Sequence, residues 1–516
     1  MTIRTRDLGE HTVHSGRATN VADLVRSAAN AEPDHLALVE TATGARLSWG
    51  ALDAAVDAAA RAITGNATGS GDRVVVRLPG TAAYVVAVYG VLRAGRVLVP
   101  IARGSAHREL AEVLAASGAA LLVAEDDDEV AVAAAAEAGV PLLRPPATTA
   151  AGEHEPVEAT TGGEDLAVLA FTSGTSGTAR GVMLSHRALL ANVDQCSRLR
   201  PAPVTPADRV LLALPLFHVY GLGPGLLQVA NAGATAVLAG RFDAEEALTA
   251  IARHRVTTVV GVPPMYRAWL KLDPELLRAG FGTVRLLTSG AAPLDAALGE
   301  AFRAATGLGI HEGYGLTETG PVLTSTLVGG APKPGSVGRP IPGVELRLVD
   351  VDGTPLDPEE DDSGLVSARG ANLLTGYWPD GDSGPDADGW FRTGDVGFLD
   401  DDGDLHLVDR TSDLIIVNGF NVYPHEVERA LLEHPAIAQA AVVGMPDEDT
   451  GETVRAVLVL AGDPPTTADL DAHCAHRLAR YKIPTRIEVV DELPVTATGK
   501  LARRALRAVT GTPLPG

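Results

Sequence analysis

Thr172-Ser173-Gly174-Thr175-Ser176-Gly177-Thr178-Ala179-Arg180-Gly181 gathers three glycines, five hydroxyl side chains and one cation into ten consecutive residues. It follows the apolar run Leu166 to Phe171, which reads as a buried strand, and it precedes Ser185, a suitable N-cap for a helix running through Leu199. Strand, loop and helix in that order predict α/β architecture with the loop at its working end. Glycine lets backbone N–H groups converge on an anion, the hydroxyls add donors, and Arg180 adds charge. The composition therefore suits a polyphosphate, although a plain surface loop of the same residues reads alike.

Two common phosphate loops are excluded by spacing. Five residues on from Gly174 and Gly177 stand Ala179 and Val182, so no Walker-type Gly-Lys-Ser/Thr follows. No Gly-x-Gly pair in the chain acquires the third glycine of a dinucleotide fold.

Upstream, helical Leu52 to Ala62 and the strand-like Arg73 to Leu78 continue the α/β alternation, and a Pro/Ala/Thr/Glu-rich loop from Arg144 to Asp165 leads into the decisive stretch. Downstream, Asp400 to Val408 alternates about an Asp402-Gly403 turn and predicts a hairpin. Past Arg410 the pattern changes to strand Leu414 to Val417, helix His425 to Glu433, strands Ala440 to Val443 and Val454 to Leu460, helix Ala468 to Leu478 and strand Arg486 to Val490. This predicts a large N-terminal domain, 1–410, of several subdomains with mixed sheets and helices, and a small α+β domain, 411–516, with the boundary near Arg410 to Asp413.

The 516 residues are 46% hydrophobic but only 4% aromatic, so the core is expected to rest on Ala, Val and Leu. A net charge of -23 argues against a wide nucleic-acid surface, which needs dense Lys and Arg, yet a small phosphate requires only local donors. Cys196 and Cys474 stand alone, without metal or redox spacing, and read as structural thiols. The N-terminal residues have no apolar run of signal-peptide length, and the longest apolar segment, Ala82 to Val99, is interrupted by Arg93 and Arg96. A cytoplasmic protein without a membrane span is expected.

The loop does not stand alone. Leu214-Pro-Leu-Phe-His218, Ser289-Gly-Ala-Ala-Pro293, Gly313-Tyr-Gly-Leu-Thr-Glu318, Gly376-Tyr-Trp378, Thr393-Gly-Asp395, Asp409-Arg410, Gly419-Phe-Asn-Val-Tyr-Pro424 and Pro494-Val-Thr-Ala-Thr-Gly-Lys500 follow in order. Together with the loop, this set resembles the adenylate-forming superfamily of acyl-CoA synthetases, adenylation domains and luciferases, over nearly the whole chain. The resemblance implies a two-step reaction on a carboxylic acid. Its carboxylate attacks the α-phosphate of ATP to give acyl-AMP and pyrophosphate, and CoA then takes the acyl group.

Two anions must meet in the first step, so cations and donors have to stand where charge develops. The resemblance implies that Thr172, Thr175 and Arg180 meet the β- and γ-phosphates, that Ser173, Gly174, Ser176 and Gly177 belong to the same nucleotide-binding loop, and that Thr317 stands at the α-phosphate with Glu318 holding Mg²⁺. It assigns Gly290, Ala291 and Ala292 to one face of adenine and Tyr314 to the other, and Asp395 and Arg410 to the ribose hydroxyls. His218 is a further catalytic candidate. Lys500, one of only four lysines in the chain, is implied to bridge carboxylate and α-phosphate. Gly419 is implied to line the CoA tunnel in a small C-terminal domain that moves between the two steps.

Two positions depart from the family pattern. Arg180 stands where Pro-Lys-Gly usually supplies lysine, and Ser412 stands at the hinge where a charged residue is usual. Phe217-His218 occupies the place where amino-acid-activating domains carry an Asp for the ammonium, which disfavours an amino acid and leaves a fatty or an aryl acid. Gly221, Gly223 and Gly225 read either as a roomy acyl pocket or as tight helix packing. The alternative acceptor is the phosphopantetheine arm of an acyl carrier protein, and an impaired nucleotide-binding homologue is the reading of another class.

Overall fold

The computed structural model describes residues 3–4, 18–67, 69, 72–148, 155–173, 179–350, 352–356, 363–410, 415–417, 420–422, 424–447, 451–475, 477–478, 480–495 and 501–514. The chain divides into a larger compact unit, 2–346 with 368–391, and a smaller one built mainly from 392–516 together with 347–367. The architecture is mixed α/β, as expected.

Two sheets organise the larger unit. In the first, Gly376–Trp378, Ala179–Ser185, Leu166–Ser173, Val97–Pro100, Arg73–Arg77, Leu121–Ala124 and Leu142–Leu143 lie side by side. In the second, Arg339–Pro340, Val322–Ser325, Ile310–Gly315, Leu286–Ser289, Thr258–Gly261, Arg209–Leu212, Thr235–Leu238, Leu36–Glu40 and Arg46–Ser48 follow one another. The strands from Ile310–Gly315 to Leu36–Glu40 are parallel, and their β-branched and leucine runs fit burial on both faces. In-register pairing aligns Glu312, midway along its strand, with Gly261 and Ser289 at the carboxyl ends of theirs, the edge where open α/β sheets bind ligands.

The decisive loop is shorter than the sequence suggested. Strand Leu166–Ser173 turns back antiparallel on Ala179–Ser185, pairing Thr172 with Arg180, so the order is strand, turn, strand and helix. Gly181-Val-Met-Leu184 becomes a strand because it pairs on its other side with Gly376–Trp378. A Cβ on Gly181 would come within 2.8 Å of Leu169 Cδ1 and 3.1 Å of Trp378 Cβ. The helix begins where expected: Ser185 Oγ accepts the Ala188 N–H at 3.2 Å and caps His186–Ser197.

Aliphatic residues fill most of the core, but the scarce aromatics are concentrated. Trp269 meets Phe242, Tyr266 and Phe281 edge to face, with ring centroids 5.2, 5.8 and 5.2 Å away, and Phe302 completes the group beneath the second sheet. The arginines that interrupt the long apolar segment are themselves buried. Arg93 pairs with Asp53 at 2.7 Å and Asp57 at 2.8 Å, while Arg96 donates to the Ala67 carbonyl at 2.8 Å. Among the described residues no helix is long and apolar enough to cross a membrane.

In the smaller unit Phe391–Leu399 and Leu405–Arg410 form the expected hairpin about Asp400 to Asp404. A second sheet holds Phe420–Val422, Ile415–Val417, Gly451–Leu460, Arg486–Val489 and Thr512–Pro513 in order, with Ile437–Asp447 also on Gly451–Leu460, and helices Pro424–Leu432 and Thr467–Ala475 belong to the same α+β unit. Leu431, Val442, Leu458 and Leu470 form part of its core.

Asp128 is a stability determinant of the larger unit. It caps helix Glu129–Ala138 through the Ala131 N–H at 3.1 Å, and its other oxygen pairs with Arg77 at 2.8 Å and Arg103 at 3.1 Å. Asp128→Ala should destabilise the protein by about 3–5 kcal/mol, because it strands the buried Arg77 charge and removes a cap. Glu112→Ala, which breaks the exposed pair Arg108–Glu112, should leave the urea unfolding midpoint where it is. Equal midpoint shifts in the two variants would contradict this reading.

Candidate active site

Arg180 and Glu318 are brought together by a residue between them. The Tyr377 hydroxyl donates to Glu318 Oε1 at 2.7 Å, and the Arg180 guanidinium lies 3.8 Å from the centre of the Tyr377 ring. Glu318 sits in the short helical turn Thr317–Thr319, after strand Ile310–Gly315, and its carbonyl accepts the Leu374 N–H at 2.8 Å. The Thr319 hydroxyl holds the same turn, accepting the Leu316 N–H at 2.9 Å and donating to the Pro321 carbonyl at 2.6 Å. Burial and the neighbouring carboxylate push the Tyr377 phenol well above the usual range, against the opposing pull of Arg180. It therefore remains a hydrogen-bond donor at neutral pH.

The other sequence-assigned groups are distributed as follows. Thr172 stands opposite Arg180, with its hydroxyl 3.5 Å from the Arg180 carbonyl, and Thr317 is half-buried beside Glu318. Tyr314 is buried on the strand that carries Glu312. The chain leaves strand Leu286–Ser289 directly into Gly290-Ala-Ala292, where Ala291 takes a left-handed φ of 65°, a conformation costly for any residue with a Cβ. In the smaller unit the buried Asp395 is the cross-strand partner of Arg410. Gly174, Thr175, Ser176, Gly177, Ser412, Gly419 and Lys500 lie outside the described residues, as do the side chains of Ser173 and Arg410.

Around His218 the packing is close. His218 Nδ1 accepts the Tyr220 N–H at 3.2 Å. The Tyr220 ring covers Gly290 so tightly that a Cβ there would lie 2.9 Å from the ring, and burial pushes its phenol up to about 12. Gly221–Leu227 winds as a π-helical turn. A Cβ on Gly221 would come within 2.4 Å of the Pro215 carbonyl, on Gly223 within 2.7 Å of Pro321, and on Gly225 within 3.1 Å of Leu212. These glycines serve close packing, and the roomy-pocket reading is set aside for them.

Sequence reasoning gave no role to Tyr377, Tyr220 or Glu312. Tyr377 lay inside a quoted motif, but its contact with Glu318 spans 59 residues and leaves no local pattern. Glu312 is buried within strand Ile310–Gly315 beside Ser289, whose Oγ has no hydrogen-bond partner among the described residues. Burial pushes the Glu312 carboxyl up to about 7, partly offset by the Leu294 N–H donated to it.

The sequence matches the family model for AMP-binding enzymes over residues 25–378 and that for the AMP-binding enzyme C-terminal domain over 426–500. The chain belongs to the AMP-binding enzyme family. It is 36% identical over 510 residues to a feruloyl-CoA synthase of an Amycolatopsis species, covering 98% of this chain and 99% of that protein. It is 39% identical to a long-chain-fatty-acid–CoA ligase of Bacillus subtilis over 66% of this chain, an alignment that spans 61% of that protein's length. An ATP-bound MatB from Rhodopseudomonas palustris superposes with a TM-score of 0.86 at 31% identity, over 95% of this chain and 98% of that one. As a member of the AMP-binding enzyme family, the chain is an AMP-forming acid–CoA ligase that couples ATP to activation of a carboxylic acid.

The raised Glu312 value sets a pH dependence. An acid whose folded value lies above its unfolded one favours the folded state in acid, and that contribution is lost as pH rises from about 4.5 toward 7. Glu312→Gln keeps an acceptor for Leu294 but cannot ionise. Relative to wild type it should therefore gain stability, by about 3 kcal/mol between pH 4.5 and 8, in parallel urea titrations. A wild-type-to-variant difference that does not change with pH would overturn the assignment.

Proposed function

We propose that the chain activates an aryl or fatty carboxylic acid, with the phosphate end of ATP held between Arg180 and Glu318. The observation that carries this is the arrangement of an exposed cation and a carboxylate on two sides of Tyr377, beside the hairpin Leu166–Ser185. The arginine meets phosphate oxygens directly. A lone carboxylate suits a magnesium ion, which usually takes one or two carboxylates together with phosphate oxygens, so Glu318 fits that role. When bound, Mg²⁺ would neutralise charge on the phosphates.

The remaining assignments complete the site. Thr172, Ser173, Gly174, Thr175, Ser176 and Gly177 line the polyphosphate, and Thr317 faces the α-phosphate. Gly290-Ala-Ala292 and Tyr314 enclose adenine, while Asp395 and Arg410 take the ribose. Lys500 lies between the acid's carboxylate and the α-phosphate, where a compact ammonium contacts both as charge redistributes. The N-terminal domain, 1–410, binds ATP and acid. The C-terminal domain, 411–516, brings Lys500 for the first step and Gly419 for the approach of CoA in the second. The site operates in the cytoplasm.

The acid is argued from what the chain lacks. Phe217 and His218 stand where an ammonium-binding Asp would be needed, and His218 Nδ1 is already committed as an acceptor, so an amino acid finds no anionic partner there. The feruloyl-CoA synthase similarity over nearly the full length supports an aryl acid, and the fatty-acid ligase similarity supports an aliphatic one.

Exchange of labelled pyrophosphate into ATP, measured across aryl alkenoates, fatty acids of graded length and α-amino acids, tests the proposal. Exchange is expected with the first or second group and not with the third, and added CoA should convert the same acid to a thioester. A carrier-protein phosphopantetheine arm as sole acceptor would overturn the choice of CoA. Lys500→Ala should abolish exchange yet still form thioester from supplied acyl-AMP. Near wild-type exchange in that variant would remove Lys500 from the first step.

A further inference from the structure

Tyr377 has three constraints that meet at one ring. Its backbone is fixed by antiparallel pairing with Val182, on the strand that carries Arg180, and by the Asp382 carbonyl, which accepts the Tyr377 N–H at 3.1 Å. Its ring face carries the Arg180 guanidinium at 3.8 Å. Its hydroxyl holds Glu318 Oε1 at 2.7 Å, while the Leu374 N–H, three residues earlier on the same segment, holds the Glu318 carbonyl at 2.8 Å. The segment around Tyr377 therefore ties the strand bearing the cation to the turn bearing the carboxylate.

We propose that Tyr377 is a positioning residue that orients the Glu318 carboxylate for Mg²⁺ through its hydroxyl and the Arg180 guanidinium for phosphate through its ring. The inference rests on the assignment of Glu318 and Arg180 made above. With Oε1 engaged by the phenol, carboxylate rotation is restricted and the second oxygen is left to serve a cation. The ring also explains why arginine works at position 180. A planar guanidinium lies flat on an aromatic face, whereas an ammonium on a flexible stem is less well held. Tyr377 itself touches neither substrate nor metal in this assignment and acts through its two neighbours.

The two contacts separate by substitution. Tyr377→Phe keeps the ring beneath Arg180 and deletes the hydrogen bond to Glu318, and Arg180→Lys does the reverse. Equilibrium ATP binding by calorimetry, with and without Mg²⁺, is the readout, with thermal melting to confirm folding. Tyr377→Phe should weaken Mg·ATP binding about tenfold, in line with loss of a hydrogen bond to a charged group, and leave metal-free ATP binding within about twofold. In a Glu318→Gln background the same substitution should add less than about twofold. Arg180→Lys should weaken ATP binding to a similar extent whether or not metal is present.

Tyr377→Phe without effect, in a protein where Glu318→Gln does reduce the Mg²⁺ response, would overturn the positioning role alone. Independent, multiplying effects of Tyr377→Phe and Glu318→Gln would do the same. If Glu318→Gln leaves the Mg²⁺ response unchanged, the metal assignment fails and the inference falls with it. Should Tyr377→Phe melt early, Glu318→Asp supplies the same test from the other side. It keeps the charge but withdraws the carboxylate from the phenol, and unchanged Mg·ATP affinity there would overturn the proposal.

Discussion

A carboxylate and a triphosphate repel each other, and a protein with a net charge of -23 adds to that repulsion unless local donors and cations oppose it. The structure meets this constraint with few charges. Arg180 is the cation at the start of strand Ala179–Ser185, and Glu318 stands on the other side of one tyrosine. Among the described residues this cation and carboxylate form no direct ion pair; the ring separates them, so both remain available to a ligand. The sheet edge where Gly261, Ser289 and Glu312 align supplies the companion surface, made of small groups and a buried carboxyl.

Much of this surface depends on glycine for contact rather than for freedom. Gly290 admits the Tyr220 ring, Gly181 admits Trp378 and Leu169, and Gly223 admits Pro321. The result is a close-packed frame under the loops, in which a single methyl group would displace a neighbour. Asp128 and Arg77 perform a related task away from the site, joining a helix start to the first sheet through a buried, multiply bonded carboxylate.

The parts of the fold that were readable from sequence are those with local causes. Ser185 announces its helix because the capping hydroxyl and the helix are adjacent, and the Asp402-Gly403 turn announces its hairpin for the same reason. The α/β class and the small α+β unit followed from periodicity. Thr172 to Gly181 was read as one loop, but both its ends are strand, because Thr172 pairs with Arg180 and Gly181 pairs with Trp378, almost two hundred residues on. The glycines after His218 were ambiguous until Pro215, Pro321 and Leu212 were seen against them. Tyr377 and Glu312 were silent for a similar reason: hydrogen bonding across distant segments and depth of burial have no signature in a short window. The motif order carried Arg180, Thr317 and Glu318, but not the ring that joins two of them.

In the proposed reaction the acid's carboxylate attacks the α-phosphate of ATP at this site. The most direct measurement of this step is the fate of oxygen-18 placed in the carboxylate of an accepted acid, read by mass spectrometry after turnover with ATP and CoA. One labelled oxygen is expected in AMP for each acyl-CoA formed, with none in pyrophosphate. Unlabelled AMP, or label recovered in inorganic phosphate, would contradict it.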